Sequence, residues 1–473
     1  MAAANRSVQY RRIKNAESIL ANAQTQNALE LRRTGLEILE EMVSQLQPQV
    51  LLKQRLRRAI TELFIGRSIL YLENFDDFLV IGGGKAVLGM VEFLETLLPD
   101  KDLRGVLSVP EGFASQAERT SEVQLREASH PIPDVRGLKA TEEMAALLKD
   151  ATERTLVFFL ISGGGSALMP LPAKGISLEA KLEVNRLLLE SGASISEFNT
   201  VRKHISAWKG GQAAKLAYPA TTISLVLSDV LGDPLDIIAS GPTAPDPSTF
   251  LDAHQILRKY ALWERVDETI SSFIGKGMRN EISETPKEGE PAFQKVITEI
   301  IGNNRAATNI IAKAGQKRGY KVFVLTNFMQ GEAREIGRFV GAIGIQMKHS
   351  SEPIASPGIV VLGGETTVTV TGKGEGGRNQ ELALACSSVI SGLKHVAVFS
   401  FGTDGIDGTS NAAGAVVDGL TAEKIRTLGL DIEKILHNND SGSAFKITGD
   451  HILTGYTGTN VADIVLIISL GVS

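Results

Sequence analysis

The sequence is almost without cysteine: Cys386 is the only one in 473 residues. A single thiol cannot form a disulfide within the chain or build a cysteine cage around zinc. The seven histidines show no H-E-x-x-H motif or other zinc spacing. The chain also lacks an apolar run of roughly 18 residues, the length that a membrane-spanning helix needs. We therefore expect a protein of a reducing compartment that does not cross a membrane.

The sequence also has no excess of positively charged residues. The 49 Lys and Arg are outnumbered by 54 Asp and Glu, which gives a formal net charge of −5. This balance argues against a nucleic-acid surface built on bulk charge, although it allows a local basic pocket. Small molecules are the expected partners, and nothing in the sequence specifies an oligomeric state or excludes a homodimer. The length predicts two domains, and we expect their boundary between residues 245 and 246.

The amino-terminal segment is locally basic. Residues 1–16 contain four cations and no acid, which resembles a mitochondrial transit segment. However, this segment runs without a break into residues with helical spacing from Ile13 onward. The sequence therefore predicts a surface helix and a cytoplasmic protein, with mitochondrial targeting as the alternative. The four cations are Arg6, Arg11, Arg12 and Lys14.

Two glycine-rich stretches, at residues 79–95 and 156–169, dominate the pattern. In each, an apolar run typical of a buried parallel strand ends in three glycines and leads into a helical pattern. Glycine turns leave amide N–H groups open to an anion, and adjacent parallel strands end at the edge where open α/β sheets bind ligands. We therefore expect both turns to hold the phosphates of one ligand. The candidate residues are Gly82, Gly83, Gly84, Lys85, Ser162, Gly163, Gly164, Gly165 and Ser166.

Further polar residues in the first half could act beside these turns. His130 lies in a proline-rich loop and could contact substrate or be structural. Asn199 and Arg202, near a predicted helix start, suit an anionic ligand or a solvated helix end. Asp229 and Asp233 follow a predicted strand, where a carboxylate needs a cation or a hydrogen-bond partner. They are candidates for magnesium binding or proton transfer, and Asp233 is alternatively a turn residue.

Candidates in the second half lie in glycine-rich loops. Arg378 begins a predicted helix after a loop with several glycines, where its guanidinium could hold a phosphate or carboxylate; a flexible loop is the alternative. Asp404 and Asp407 follow another predicted strand, with Asn411 shortly after. Acids in such a loop could bind magnesium or sugar-like hydroxyl groups.

Several common sites can be excluded from these motifs. There is no Walker P-loop, because Lys85 is followed by Ala86. A dinucleotide fingerprint is poor, since Val87 and Leu168 occupy the place of its third glycine. No G-x-S-x-G motif of a serine hydrolase occurs. Glycine turns, isolated cations and strand-end acids together form the inventory that phosphoryl transfer requires.

With these motifs the sequence resembles the class II glycerate kinases, the family whose carboxyl-terminal domain is called MOFRL. The matching segments follow in order over nearly the whole chain: VIGGGKA, SHPIPD, LISGGGSAL, NTVRKHIS, SDVLGDPLDIIASGPT, GGETTVTV, GEGGRNQE, GTDGIDGTSNAAGA and TGTNVAD. The resemblance implies an α/β protein of two domains, residues 1–245 Rossmann-like and residues 246–473 MOFRL-type. Each would have a largely parallel sheet flanked by helices, with the active site in the cleft between them.

The resemblance also implies ATP-dependent phosphorylation of D-glycerate with magnesium, with 2-phosphoglycerate the favoured product. Lys85 and Arg378 match the family's catalytic cations. Asp229 would hold magnesium, together with Asp233, or take the hydroxyl proton; Asp404 and Asp407 are alternatives for that role. The substrate-binding candidates are Arg202, Asn199, Asp404 and Asn411.

Two other functions fit part of the pattern. An NAD(P)H-dependent hydroxypyruvate reductase would act on nearly the same small acid, and bacterial relatives have often been labelled so. The large residues at the third-glycine places argue against it, as does the lack of an acid ending a strand about 20 residues after either turn. A non-catalytic sensor of a phosphosugar or nucleotide would bind without turnover.

Overall fold

The computed structural model describes residues 9–114 and 121–471, and the chain divides into two compact units. The middle unit is Pro48–Ile301, and the terminal unit joins Met1–Gln47 to Gly302–Ser473. The observed division therefore differs from the predicted boundary at residue 245. Residues 1–8, which include Arg6 of the basic segment, lie outside the described residues.

Part of this difference comes from residues 246–301, which belong to the middle unit, and part from the amino-terminal helices, which pack with the carboxyl-terminal half. Arg32 forms buried ion pairs with Asp418 at 2.8 Å and Asp450 at 2.6 Å. A Cβ on Gly35 would lie 2.2 Å from the Phe399 ring, so this helix approaches the strand beneath it closely. Such long-range pairing leaves no signal in the local pattern. The helices are α1 (Ala16–Ala21) and α2 (Gln26–Gln45).

The middle unit begins with a small antiparallel sheet of three strands. Ile60 and Gly66 adopt left-handed backbone conformations, with φ of 50° and 55°, and form the two turns between its strands. The middle strand alternates partly exposed and buried residues, as a half-buried strand does. The preceding helix is α3 (Pro48–Arg55), and the strands are β1 (Leu56–Ala59), β2 (Glu62–Ile65) and β3 (Ser68–Tyr71).

The main sheet of the middle unit has six strands. They are β4 (Asp77–Gly83), β5 (Leu103–Pro110), β6 (Glu122–Ala128), β7 (Thr155–Ile161), β8 (Thr221–Leu227) and β9 (Val296–Gly302). Their order is β6-β5-β4-β7-β8-β9, and the pairs from β6 to β8 are parallel. The chain starts in the centre, builds one side and then crosses to the other, which is the Rossmann strand order. The predicted Rossmann-like sheet is confirmed.

Helices cover this sheet and form a second apolar core beside it. Apolar residues of the central strands and of the helices on them form one buried cluster. A separate cluster joins four helices, α7, α8, α10 and α11, and fixes the first two of them. The helices are α4 (Val87–Leu97), α5 (Val135–Lys149), α6 (Gly165–Leu168), α7 (Leu178–Glu190), α8 (Ile195–His204), α9 (Gln212–Ala217), α10 (Phe250–Lys259), α11 (Glu268–Met278) and α12 (Pro291–Gln294).

The terminal unit contains a mixed sheet, so its predicted largely parallel sheet is wrong in strand direction. The strands are β10 (Lys321–Met329), β11 (Gly358–Gly364), β12 (Val396–Gly402), β13 (Gly414–Asp418), β14 (His451–Ile452) and β15 (Asp463–Ser469). Their order is β10-β11-β15-β12-β13-β14, and only β10 and β11 pair in parallel. The final strand enters the centre antiparallel to both neighbours. Because β15 is buried throughout, its continuous apolar run does not reveal its direction.

The remaining helices flank this sheet. They are α13 (Asn304–Lys317), α14 (Ala333–Ser350), α15 (Arg378–Val389), α16 (Thr421–Thr427), α17 (Ile432–His437) and α18 (Ser441–Thr448). Across residues 9–114 and 121–471, no helix combines the length and the apolar character that a bilayer crossing requires.

Candidate active site

The two glycine turns lie side by side, as the sequence predicts. They follow β4 and β7, which are adjacent and parallel at the point where the strand order reverses. The Lys85 backbone N–H donates to the Gly163 carbonyl at 2.9 Å. The Ala86 N–H donates to Ser162 Oγ at 3.0 Å. The two turns are thus joined directly at the ligand-binding edge of the sheet.

Two glycines of the first turn are required by this junction. Gly82 has a φ of 138°, and a Cβ there would lie 1.9 Å from the Leu160 carbonyl oxygen. Gly84 has a φ of 145°, and its Cβ would lie 2.1 Å from Ser162 Oγ. Both the backbone conformation and the space therefore exclude any side chain. These glycines allow the two turns to touch.

The amide groups of the first turn are already used. Gly82 and Gly83 belong to β4, which is paired on both sides. The Gly84 N–H donates to the Ser108 carbonyl at 3.1 Å, and the next two amides donate to the second turn. This differs from the prediction that the amides of residues 82–84 surround phosphate. The first turn is a structural junction.

The second turn retains open amide groups. Within the described residues, no protein acceptor is found for the backbone N–H of Gly163, Gly164 or Ser166. Gly164 has a φ of 88°, a left-handed conformation that turns successive amides toward one side. A Cβ on Gly164 would lie 3.0 Å from the His130 ring, so this histidine borders the turn. An anion can be bound by the amides of the second turn.

Three cations lie around this turn: Lys181 and Lys209 are buried, and Arg202 is partly buried. Lys209 Nζ donates to the Ser166 carbonyl at 2.9 Å and to Ser166 Oγ at 3.1 Å. Arg202 Nη2 donates to the same carbonyl at 3.4 Å. Lys181 Nζ donates to the Leu171 carbonyl at 3.3 Å. The side chains of Lys181 and Lys209 are 2% and 0% exposed. We call Lys181, Arg202 and Lys209 the three-cation cluster.

The three-cation cluster has no acidic partner in the described part of the chain. Burial and the neighbouring cations hold the pKa values of Lys181 and Lys209 well below their usual range. Burial lowers the pKa of Arg202 to about 10, and its buried Nε has no hydrogen-bond acceptor. Buried charge without a counter-charge is unfavourable. A bound anion would supply the missing charge.

A chain of hydroxyl groups extends from Lys209 through this turn. Ser166 Oγ lies 2.9 Å from Ser240 Oγ, which donates to Asn199 Oδ1 at 2.8 Å. Asn199 Nδ2 donates to the Ile195 carbonyl at 3.0 Å. Because Asn199 is 3% exposed and both ends of its amide are engaged, it supports the site rather than contacting substrate. The predicted substrate contact of Asn199 therefore changes to a positioning role.

Ser240 is held in unusual backbone geometry. Its φ is 61°, and that of Ala239 is 51°, which are left-handed values that non-glycine residues rarely adopt. Such conformations concentrate where the surrounding structure fixes a functional group. In this conformation the Ser240 hydroxyl lies against Ser166.

Asp229 and Asp233 follow β8, the strand next to β7, and both are partly exposed. Asp233 has a φ of 56°, and its N–H donates to the Val230 carbonyl at 3.1 Å, which confirms its role in a turn. Among the described residues, no group of three or more Asp, Glu, His or Cys is arranged to bind a metal. Magnesium binding by Asp229 and Asp233 therefore stays a prediction, since this metal takes one or two carboxylates together with substrate phosphates.

Arg378 begins α15 in the terminal unit, and its guanidinium forms ion pairs with two acidic side chains. Nε and Nη2 donate to Asp463 at 2.5 and 3.0 Å, and Nη1 pairs with Glu365 at 2.9 Å. Burial alone would lower the pKa of Arg378, but these carboxylates raise it above its usual value. Its setting is therefore rich in negative charge.

Asp407 fixes the same helix start. Its carboxylate accepts the backbone N–H groups of Asn379 at 3.0 Å and Gln380 at 2.8 Å. Burial raises the pKa of Asp407 to about 7, and the residue is 1% exposed. This carboxylate is structural and does not fit the predicted magnesium or proton-transfer role. Asp404 is partly exposed and Asn411 exposed, and their substrate contacts stay predictions.

The sequence interpretation missed Lys181, Lys209 and Ser240. Lys181 occupies the buried face of α7 together with Val184 and Leu188, so a lysine within an apolar stripe was the available signal. Lys209 follows the fully buried Trp208, but one such neighbour is a weak signal. Ser240 lies within the SDVLGDPLDIIASGPT segment, but nothing there distinguishes it from the other residues of the loop.

Comparisons with known proteins agree with this fold. Residues 34–275 match a domain of unknown function (DUF4147), and residues 358–463 match the MOFRL family. A glycerate 2-kinase of Pyrococcus horikoshii is 41% identical over 442 residues, covering 93% of this chain and 98% of the relative. A provisionally named hydroxypyruvate reductase of Agrobacterium vitis is 39% identical, covering 81% of this chain and 85% of the relative.

The crystal structure of a Thermotoga maritima glycerate kinase matches with a TM-score of 0.81 at 37% identity. The match covers 93% of this chain and 100% of that structure. The sequence identity is high, and the matches cover nearly all of this chain and of the Pyrococcus horikoshii and Thermotoga maritima relatives. This chain belongs to the MOFRL-type glycerate kinase family.

Proposed function

We propose that this protein transfers a phosphoryl group from ATP to D-glycerate and makes 2-phosphoglycerate. The observation that carries the proposal is the pair of joined glycine turns, with the open amides of the second turn at the edge where open α/β sheets bind ligands. Buried positive charge beside open amides suits a phosphorylated ligand. The similarity to a glycerate 2-kinase supplies the identity of the acceptor.

The proposed reaction is an attack by a glycerate hydroxyl oxygen on the γ-phosphorus. The bond from this phosphorus to ADP breaks, and the hydroxyl proton passes to a carboxylate. Lys85, partly exposed at the start of α4, and Arg378 are the proposed catalytic cations. Asp229 either takes the proton or, with Asp233, holds magnesium. The metal would neutralise phosphate charge when bound.

Phosphorus NMR of a reaction with D-glycerate, ATP and magnesium tests this proposal. We expect ADP and a phosphate ester on the 2-hydroxyl, formed in equal amounts. An ester on the 3-hydroxyl would correct the position of attack. Release of inorganic phosphate without an ester, at a rate independent of glycerate, would contradict the kinase proposal.

A reductase is the second candidate, because the strand order is also that of dinucleotide-binding proteins. Glu111 directly follows β5, where such proteins place an acid for the ribose, although the sequence interpretation found none. However, the Glu111 carboxylate pairs with Arg136 at 2.5 Å. Consumption of NADH with hydroxypyruvate, in the absence of ATP turnover with glycerate, would favour the reductase.

A further inference from the structure

The charge of the three-cation cluster limits the ligand that can occupy it. Lys181 and Lys209 are buried and Arg202 is partly buried, and none of the three pairs with a carboxylate in the described residues. A carboxylate ligand such as glycerate would supply one negative charge and leave most of the repulsion in place. A phosphoryl group supplies about two charges and three acceptor oxygens.

The chain treats a neighbouring buried lysine differently. Lys203 is 2% exposed, and its Nζ pairs with Asp246 at 2.7 Å and Asp236 at 3.3 Å. Where a buried lysine has a structural role, the fold therefore supplies acids for it. Lys209 lies only a few residues further along and has none within the described residues. The missing acids at the three-cation cluster indicate that its counter-charge comes from a ligand.

Two members of the three-cation cluster contact the second glycine turn directly. Lys209 and Arg202 both donate to Ser166, and its backbone N–H has no acceptor among the described residues. The Gly163 and Gly164 amides adjoin it. Arg202 Nε is a buried donor that lacks an acceptor. Lys209 Nζ also donates to the Ala239 carbonyl at 3.5 Å, so its protons are engaged and it contributes charge. The donors available at this turn are Arg202 Nε and the backbone amides.

We propose that Lys181, Arg202 and Lys209, together with the amides of the second glycine turn, form a pocket for a phosphoryl group. This inference rests on the proposed kinase function and assigns Arg202 to phosphate rather than to the substrate carboxylate. Lys209 and Arg202 hold the turn by donating hydrogen bonds to Ser166, and Lys181 on α7 adds positive charge. The phosphoryl group belongs either to the nucleotide or to the phosphorylated product.

Binding without turnover tests the pocket. Thermal unfolding and calorimetric titration are measured with pyrophosphate, inorganic phosphate and glycerate, using wild-type protein and the Lys209→Met and Lys181→Met variants. We expect pyrophosphate to stabilise the wild-type protein more than glycerate does. Each variant should unfold at a higher temperature than wild type without anion, because a buried repulsive charge is removed. Its affinity for pyrophosphate should fall at least about tenfold.

Lys203→Met is the matched control. It removes an equally buried but paired lysine, so it should lower the unfolding temperature and leave pyrophosphate affinity unchanged in the folded protein. If Lys209→Met and Lys181→Met behave in the same way as Lys203→Met, the cluster is structural and the proposal is wrong. Tighter binding of glycerate than of pyrophosphate, lost in both variants, would also overturn it and assign the pocket to a carboxylate.

Two further titrations identify the source of the phosphoryl group. ADP competing with pyrophosphate, with 2-phosphoglycerate failing to compete, would assign the pocket to the nucleotide; the reverse would assign it to the product. Either result supports a phosphoryl pocket. Because no step needs catalysis, pyrophosphate binding that depends on Lys209 would stand even if glycerate were not phosphorylated. Conversely, if the protein phosphorylates glycerate but Lys209→Met binds pyrophosphate as tightly as wild type does, only the proposed pocket is refuted.

Discussion

The cations of the middle unit and the terminal unit lie in opposite electrostatic settings. The three-cation cluster has open donors and no acid among the described residues, whereas Arg378 alone is paired with both Asp463 and Glu365. In the first setting a negatively charged ligand is favoured, and in the second the positive charge is already compensated. The role of a cation in a motif therefore depends on the charged groups that surround it in the fold.

The largest expected effect separates catalysis from stability. Lys85 is partly exposed, so Lys85→Ala should lower turnover by on the order of 10³-fold and leave the unfolding free energy nearly unchanged. Lys139→Ala, at an exposed position of α5, is the control and should retain activity. Steady-state kinetics with ATP and D-glycerate measure both. Near-normal turnover of Lys85→Ala would remove this lysine from the mechanism.

Arg378 should affect both properties, because its removal leaves Asp463 buried without its partner. Arg378→Ala should reduce turnover and lower the unfolding free energy by roughly 3 kcal/mol. Arg378→Lys should restore part of the stability, but not the two-bond contact that a guanidinium makes with a carboxylate. Urea unfolding and steady-state kinetics measure the two effects.

Arg334→Ala is the comparison for this arginine. Arg334 forms an ion pair with the buried Glu381 at 2.8 Å and has no proposed contact with substrate. It should therefore lose stability with much less loss of turnover. Equal losses of turnover in the Arg334 and Arg378 variants would mean that Arg378 acts only through the fold.

The three-cation cluster should also produce a distinctive pH dependence. The pKa values of Lys181 and Lys209 are lowered in the folded state, so on the alkaline side, below pH 10.5, the unfolded chain binds more protons. Stability must then rise with pH by at most about 1.4 kcal/mol per unit for each lysine. The Lys181→Met/Lys209→Met double variant should lack this rise. A similar slope in both proteins would show that these lysines have ordinary pKa values.

The smallest predicted effect concerns Asp407, which has the opposite sign. Its pKa is raised from 3.8 to about 7, so the folded state binds more protons between these values and stability falls as pH rises through that window. Asp407→Asn should remove this fall, because the amide does not titrate, while it keeps one acceptor for the helix start. Unfolding measured from pH 4 to pH 8 provides the comparison.

Sequence patterns located the backbone of the site better than its charges. The apolar runs before residues 82 and 163 predicted two adjacent parallel strands, because strand burial and glycine turns are local properties. Availability of the amides could not be predicted, since the Gly84 N–H is engaged by Ser108 from another strand. The two missed lysines show the same limit. Whether a buried lysine has an acid beside it depends on contacts between distant segments.

The predictions of strand direction in the terminal unit and of the division into units differ from the structure for a related reason. A fully buried strand such as β15 has the same composition in either direction, so only its partners determine how it runs. The apolar face of α2 predicts that the helix packs on a hydrophobic core, but it does not indicate whether this core belongs to the middle or the terminal unit. Its pairing with Asp418 and Asp450 spans nearly the whole chain.

The central position of β15 has a consequence for synthesis on the ribosome. The middle unit is complete in sequence once Ile301 has emerged, whereas the sheet of the terminal unit lacks a central strand until Asp463–Ser469 is translated. The nascent chain can therefore fold its middle first, while α2 waits exposed for most of translation.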